Sequence, residues 1–304
     1  MQAYGWTSAT AAVLLLAALL ATLIGGRLLD RTTPQRAQQL AWMWLPGLLL
    51  VVHLLAQDQP AGARMLALVA ATFVAMKNVA LATARSAGMQ PLPRGRWLWF
   101  TLCWFGMDPR PFGRRWSPRG GSGPLVRRGL QNCAAGAVLI VIANALGTRW
   151  ATLLLLVGIS LVLHFGLFTL STAAFRTAGC RCRLLFDAPL RARTLDEFWS
   201  RRWNTGFAEM MALCVQRPLA RTVGRRRALL AAFGLSGLLH EVAISLPVQA
   251  GFGLPTAYFV LQGLLVRSRL RPTRRLTTLL AVVVPLPLVF HPWFIAGVIA
   301  PLMP

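Results

Sequence analysis

Long apolar runs separated by arginine-rich stretches set the pattern of this chain. An uncharged or nearly uncharged run of about 18 residues or more can cross the roughly 30 Å hydrocarbon core of a bilayer as a helix, which satisfies its own backbone hydrogen bonds there. On that criterion spans are expected at 7–24, 38–56, 63–84, 130–147, 150–170, 228–246, 255–266 and 276–300. The seventh is short, and Pro285, Pro287 and the His291-Pro292 step predict a kink or break in the eighth, so eight or nine spans are expected. The expected fold class is therefore all-α, a polytopic integral membrane protein with a single membrane domain over 1–304.

The connections sort by charge. Segments 27–36, 85–128, 171–227 and 267–275 hold almost all the arginines, whereas 57–62, 147–149 and 247–254 hold one arginine and one aspartate, Arg149 and Asp58. The two sets alternate, so the basic loops are expected in the cytoplasm and the N-terminus outside, in a multi-pass protein of a bacterial cytoplasmic membrane. The first apolar run has no basic residue ahead of it and is expected to be a retained span rather than a cleaved signal peptide. Two long basic segments stand out, because connections within a compact domain are usually short. One carries the aromatic run 97–105 followed by Gly106 to Phe112, and the other carries Asp196 to Asn204 and then a moderately apolar stretch, Thr205 to Val215. That stretch is expected either to lie in the interface as an amphipathic helix or to dip into the membrane as a re-entrant one.

Composition narrows the chemistry. The chain is 56% hydrophobic and 13% charged, with a net charge of +24. A nucleic-acid partner is not expected, since that charge lies in loops between spans rather than on a folded aqueous surface. Nearly all the cations are arginine and Lys77 is the one lysine, a bias expected from base composition rather than chemistry. Five cysteines without C-x-x-C spacing indicate neither a disulfide framework nor a zinc site, and eight carboxylates without a D-x-x-D cluster leave no expected magnesium site.

The exception to the apolar pattern is His240-Glu241 in the sixth run. His240 lies 13 residues beyond Arg227, about 20 Å along a helix. An ionised carboxylate there costs about 2.5–3.5 kcal/mol, so such residues face a protein interior or a wet cavity. Neighbouring helix positions differ by about 100°, so only one of the two lines a given cavity. Ser236 and the glycines on either side of Leu235-Ser236 allow close approach to the backbone. His53 and His291 read as interfacial or packing residues, and His164 is a further candidate for the same cavity. In Asp196 to Asn204, Phe198, Trp199 and Trp203 would seat the segment at the interface, leaving Arg201 and Arg202 for lipid headgroups or an anionic substrate.

The string Asp196-Glu197-Phe198-Trp199-Ser200-Arg201-Arg202-Trp203-Asn204, with Ser236-Gly237-Leu238-Leu239-His240-Glu241 placing His240 36 residues beyond Asn204, resembles the paired signature of wax synthases in the membrane-bound O-acyltransferase superfamily. Phe186, Pro189 and Leu195 fit the lead-in, Gly106 to Phe112 resembles an upstream region, and Ser200 departs from the glycine typical of plant members. The resemblance is strongest over 186–246. It implies an enzyme that moves an acyl group from acyl-CoA, the co-substrate, to a hydrophobic alcohol, with no other cofactor and no metal. It also implies that His240 is the catalytic base and Asn204 the second site residue, while Arg201, Arg202, Trp199, Trp203, Ser236 and Glu241 are expected about the substrate. A transporter or lipid-binding protein that uses His240 and Glu241 as a proton relay is the competing expectation.

Overall fold

The computed structural model describes residues 2–118, 121–146, 149–268 and 273–303; the connections at 147–149 and 267–275 fall partly outside that set. The described residues contain helices and no strands. In chain order these are α1 (Ala9–Leu28), α2 (Pro34–Ala56), α3 (Ala61–Ser86), α4 (Arg94–Leu98), α5 (Arg110–Gly113), α6 (Gly123–Leu146), α7 (Arg149–Ser160) and α8 (Phe168–Thr177). The second half adds α9 (Leu195–Glu197), α10 (Thr205–Met211), α11 (Arg217–Val223), α12 (Arg225–His240), α13 (Leu246–Val248), α14 (Leu254–Arg267), α15 (Arg275–Val283) and α16 (Pro292–Phe294). Wide π turns at 161–167 and 241–245 join α7 to α8 and α12 to α13 without ending either helix.

Among the described residues, six helices are long and apolar enough to cross a membrane, and the bent pair that runs from Arg275 to Leu302 raises the number to at most seven. This is fewer than the eight or nine expected. The stretch at 255–266 is helical, but α14 has 14 residues, or about 21 Å, short of a full crossing. The last run breaks where its prolines predict, with a 69° bend.

Two interfaces explain the scaffold. α3 is the central helix, with Ala67, Leu68, Ala71, Ala75, Met76 and Val79 all buried against α1 and α2. Polar side chains fasten that trio: Asn78 donates to the Thr22 carbonyl at 2.9 Å, and Arg85 donates to the carbonyls of Leu29, Asp30 and Thr32. α6 pairs with α7 and its continuation through facing glycines. A Cβ on Gly136 would stand 2.6 Å from the Gly158 carbonyl oxygen, so the two backbones pack as closely as small residues permit.

The moderately apolar stretch after Asn204 joins the core rather than lying on its surface. α10 and the π turn at 212–216 bury Met210, Met211, Leu213, Cys214 and Val215 with residues of α2 and α3. After α11 the chain reverses at Gly224, whose φ of 81° is a conformation that costs glycine nothing. α12 then returns alongside the segment it has just left. A helical hairpin results, with α14 packed across α12, where a Cβ on Gly237 would meet the Thr256 Cα at 2.7 Å.

Candidate active site

The Asp196 to Asn204 string folds into one short, heavily braced turn. Thr194 caps α9 by accepting from the Glu197 amide at 3.1 Å, and Glu197 in turn accepts from the Arg193 amide at 2.8 Å and from Arg202 Nε at 2.7 Å. The backbone then widens into a π turn over Phe198–Arg202 and closes with the Trp203 amide donating to the Phe198 carbonyl. Phe198 and Trp203 stack with their rings 11° from parallel, and Trp199 Nε1 donates to Gln262 on α14 at 3.1 Å. On the other side, the Thr205 amide and hydroxyl donate to the carbonyls of Leu185 and Leu184.

Asn204 follows this turn with φ 42° and ψ 57°, a left-handed conformation that asparagine tolerates better than most residues. Its Oδ1 accepts from the Phe207 amide at 3.3 Å and caps α10. That bond occupies the amide's acceptor and leaves the NH2 group without a partner among the described residues.

His240 approaches the same space from α12. Its Nδ1 lies 2.6 Å from the Ser236 carbonyl oxygen, which can only accept, so Nδ1 carries the proton and Nε2 presents a lone pair in the neutral ring. The imidazole lies against Phe259, with centroids 4.1 Å apart, and has Phe207 at its edge. The neutral ring is the form that acts as a base.

Both residues line one cavity of about 330 Å³, together with Trp199, Ser200, Trp203 and Ser236. Its deeper wall is apolar, built by Phe207, Leu229, Phe233 and Phe259, while Arg110, Arg183, Asp196, Gln216 and Arg217 stand among its polar residues. A long apolar group and a polar one therefore both find suitable walls around His240.

Other expected site residues are placed elsewhere. Arg202 is held by Glu197 and by the carbonyls of Asp187 and Ala188, and neither it nor Arg201 lines this cavity. Glu241 lies outside this cavity, where its Oε1 accepts from the amides of Gly253 and Thr256 and from the Thr256 hydroxyl, capping α14. His164 sits outside the cavity, beside Phe168, Phe186 and Trp203 and within hydrogen-bonding reach of Ser160. His291 is a fully buried packing residue whose Nδ1 accepts from the Phe294 amide. His53 is half-buried on α2, with its Nδ1 enclosed and unpartnered in the described structure.

Arg183, Glu209 and Phe259 are among the cavity residues that the sequence did not single out. Glu209 carried a usable signal, an isolated carboxylate in an otherwise apolar stretch. It pairs with Arg183 at 3.0 Å, and burial together with the neighbouring Asp108 carboxylate pushes its pKa above the ordinary value.

Lys77, the one lysine, has a structural task. The side chain is completely buried on α3, and its ammonium donates to the carbonyls of Phe100, Trp104 and Gly106 while lying over the rings of Phe73 and Phe100. It thus ties down the end of the aromatic run 97–105. Gly106 in turn abuts α10, where a Cβ on Gly206 would lie 2.9 Å from the Gly106 Cα.

Residues 182–262, which include Asn204, His240 and most of the cavity wall, match the profile of the Membrane bound O-acyl transferase family. A long-chain-alcohol O-fatty-acyltransferase of Simmondsia chinensis is 33% identical over 115 residues, covering 33% of this chain and 33% of that protein. A probable long-chain-alcohol O-fatty-acyltransferase 2 of Arabidopsis thaliana is 34% identical over 113 residues, covering 32% of this chain and 33% of its own length. The chain thus spans about a third of the length of these relatives. Over the segment that carries the paired motif and encloses His240, this chain is similar to the membrane bound O-acyl transferase family.

Proposed function

We propose that this protein is a membrane O-acyltransferase that moves an acyl group from acyl-CoA to the hydroxyl of a hydrophobic alcohol. One observation carries the reading: His240, with Nδ1 anchored and Nε2 unpartnered, shares a cavity with Asn204, whose amide NH2 is unpartnered. In this reading the alcohol oxygen attacks the thioester carbonyl as His240 Nε2 takes its proton. The Asn204 amide donates to the oxyanion that develops on the carbonyl oxygen. Collapse of the tetrahedral intermediate breaks the carbon–sulfur bond, and the imidazolium returns the proton to the departing thiolate. Ester and free thiol leave, and the ring is neutral again.

The cavity suits both partners, since its aromatic and aliphatic wall takes hydrocarbon and its polar residues take the donor's remaining atoms. The relatives' names, long-chain-alcohol O-fatty-acyltransferase, support the alcohol as acceptor. A proton relay through His240 and Glu241 would need the two on one polar path, and Glu241 is instead committed to the amino end of α14. The deciding experiment is ester synthesis by purified protein from an acyl-CoA and a long-chain alcohol. His240→Ala should abolish ester formation while leaving the elution volume and thermal unfolding of the protein unchanged. Undiminished synthesis by that variant would overturn the mechanism.

A further inference from the structure

A second cavity, of about 220 Å³, adjoins the first and shares Arg110, Arg183 and Glu209 with it. Its character is different. Four arginines line it, Arg110, Arg114, Arg181 and Arg183, against two carboxylates, Asp108 and Glu209. Both carboxylates are already committed: Asp108 holds Arg110 through two hydrogen bonds of 2.7 and 2.9 Å, and Glu209 holds Arg183 at 3.0 Å. Arg114 and Arg181 bind no acidic side chain in the described structure, and both are solvent-exposed. Each ion pair is neutral as a unit, so the cavity keeps the positive charge of these two guanidiniums.

We infer that this arginine-lined cavity is the seat for the phosphate groups of the acyl donor, with Arg114 and Arg181 as the principal contacts. This rests on the acyltransferase reading and assigns the donor's charged end a place apart from its reacting end. Guanidinium groups meet phosphate oxygens in pairs of parallel hydrogen bonds, which makes arginine the better residue for such a seat. The two cavities meet at the Arg110–Asp108 and Arg183–Glu209 pairs, so one ligand could keep an anionic head among the arginines and pass a neutral arm toward His240. An anionic lipid headgroup offers the same phosphate chemistry, but a headgroup has no arm that must reach a base in the adjoining cavity. The arginines expected for this task, Arg201 and Arg202, line neither cavity.

Binding tests the assignment without requiring turnover. Coenzyme A is titrated into wild-type protein and into Arg114→Ala/Arg181→Ala in nanodiscs of neutral lipid, with phosphate-free pantetheine as the comparison. The double variant should lose about tenfold or more in coenzyme A affinity, as expected for the loss of charge-assisted hydrogen bonds, and should bind pantetheine as wild type does. Equal coenzyme A affinity in the two proteins overturns the proposal, as does a parallel loss for pantetheine, which would mark a structural role. If the variant keeps its coenzyme A affinity but retains less phosphatidylglycerol than wild type in native mass spectrometry, the cavity holds a lipid headgroup and the proposal also fails. Wild-type protein that binds coenzyme A through these arginines yet forms no ester would refute the acyltransferase reading and leave the subsite standing.

Discussion

Asn204 does two things at once, and substitution can separate them. Its oxygen caps α10 and its backbone holds a left-handed conformation, while its NH2 group is the donor proposed for the oxyanion. Asn204→Asp keeps a capping acceptor and tolerates the backbone, so the protein should fold with nearly the wild-type unfolding temperature. It lacks the amide donor and places negative charge where an oxyanion would form. The turnover number for ester synthesis should therefore fall by about a hundredfold to a thousandfold. A variant that unfolds early and regains full turnover on cooling would make Asn204 a cap and nothing more.

Among the elements, α10 titrates. Glu209 has a raised pKa, mainly because the helix buries it and secondarily because Asp108 is near, with Arg183 and Arg110 pulling the other way. The folded state therefore holds the Glu209 proton more tightly than the unfolded chain does. The sign follows from linkage: this contribution to stability is complete below the ordinary value of 4.5 and is lost as pH rises through the folded value. Glu209→Gln mimics the protonated group and removes the dependence. Unfolding temperatures of the purified proteins should diverge as pH is raised from 4.5, with wild type falling relative to the variant, and parallel curves would show that the two ion-pair arginines already compensate the charge.

The aromatic run that carries the start of the arginine-lined cavity is held by Lys77, and this too is a property of elements rather than of a site. Lys77→Met would match the length of the side chain while leaving the carbonyls of Phe100, Trp104 and Gly106 without their donor. Leaving a buried acceptor without its hydrogen bond costs about 1–3 kcal/mol. Recovery of folded protein in detergent should drop sharply, and size-exclusion chromatography against wild type measures it.

At the scale of the whole molecule, the apolar runs were legible because crossing a bilayer demands a length and an absence of charge that composition displays directly. The first six runs all fold as helices near their expected positions, the fourth starting seven residues early and the fifth ending seven residues late, and the break at Pro285 to Pro292 falls where missing amide donors dictate. At α14 the expected span is a shorter helix packed on α12, since hydropathy does not distinguish lipid from protein as a neighbour. At the site, His240 was legible as a lone imidazole deep in an apolar run, and Asn204 only through its resemblance to a paired signature. Which arginines face the cavities was hidden, because Arg202 is neutralised by a glutamate five positions earlier while Arg114 and Arg181 come together only in space. The partners of Lys77 were hidden more completely, since they are backbone carbonyls that any sequence would supply.

Those carbonyls also carry a consequence for how the chain is made. Lys77 stands nine residues from the end of α3, about 13 Å inside the helix, and its acceptors lie 23 to 29 residues further along the chain. While a ribosome is still extending the polypeptide, α3 reaches the translocon with a charge and nothing yet to receive it. Insertion of this protein is thus expected to be ordered, with the central helix of the trio reaching its final place only after the segment through Gly106 has emerged.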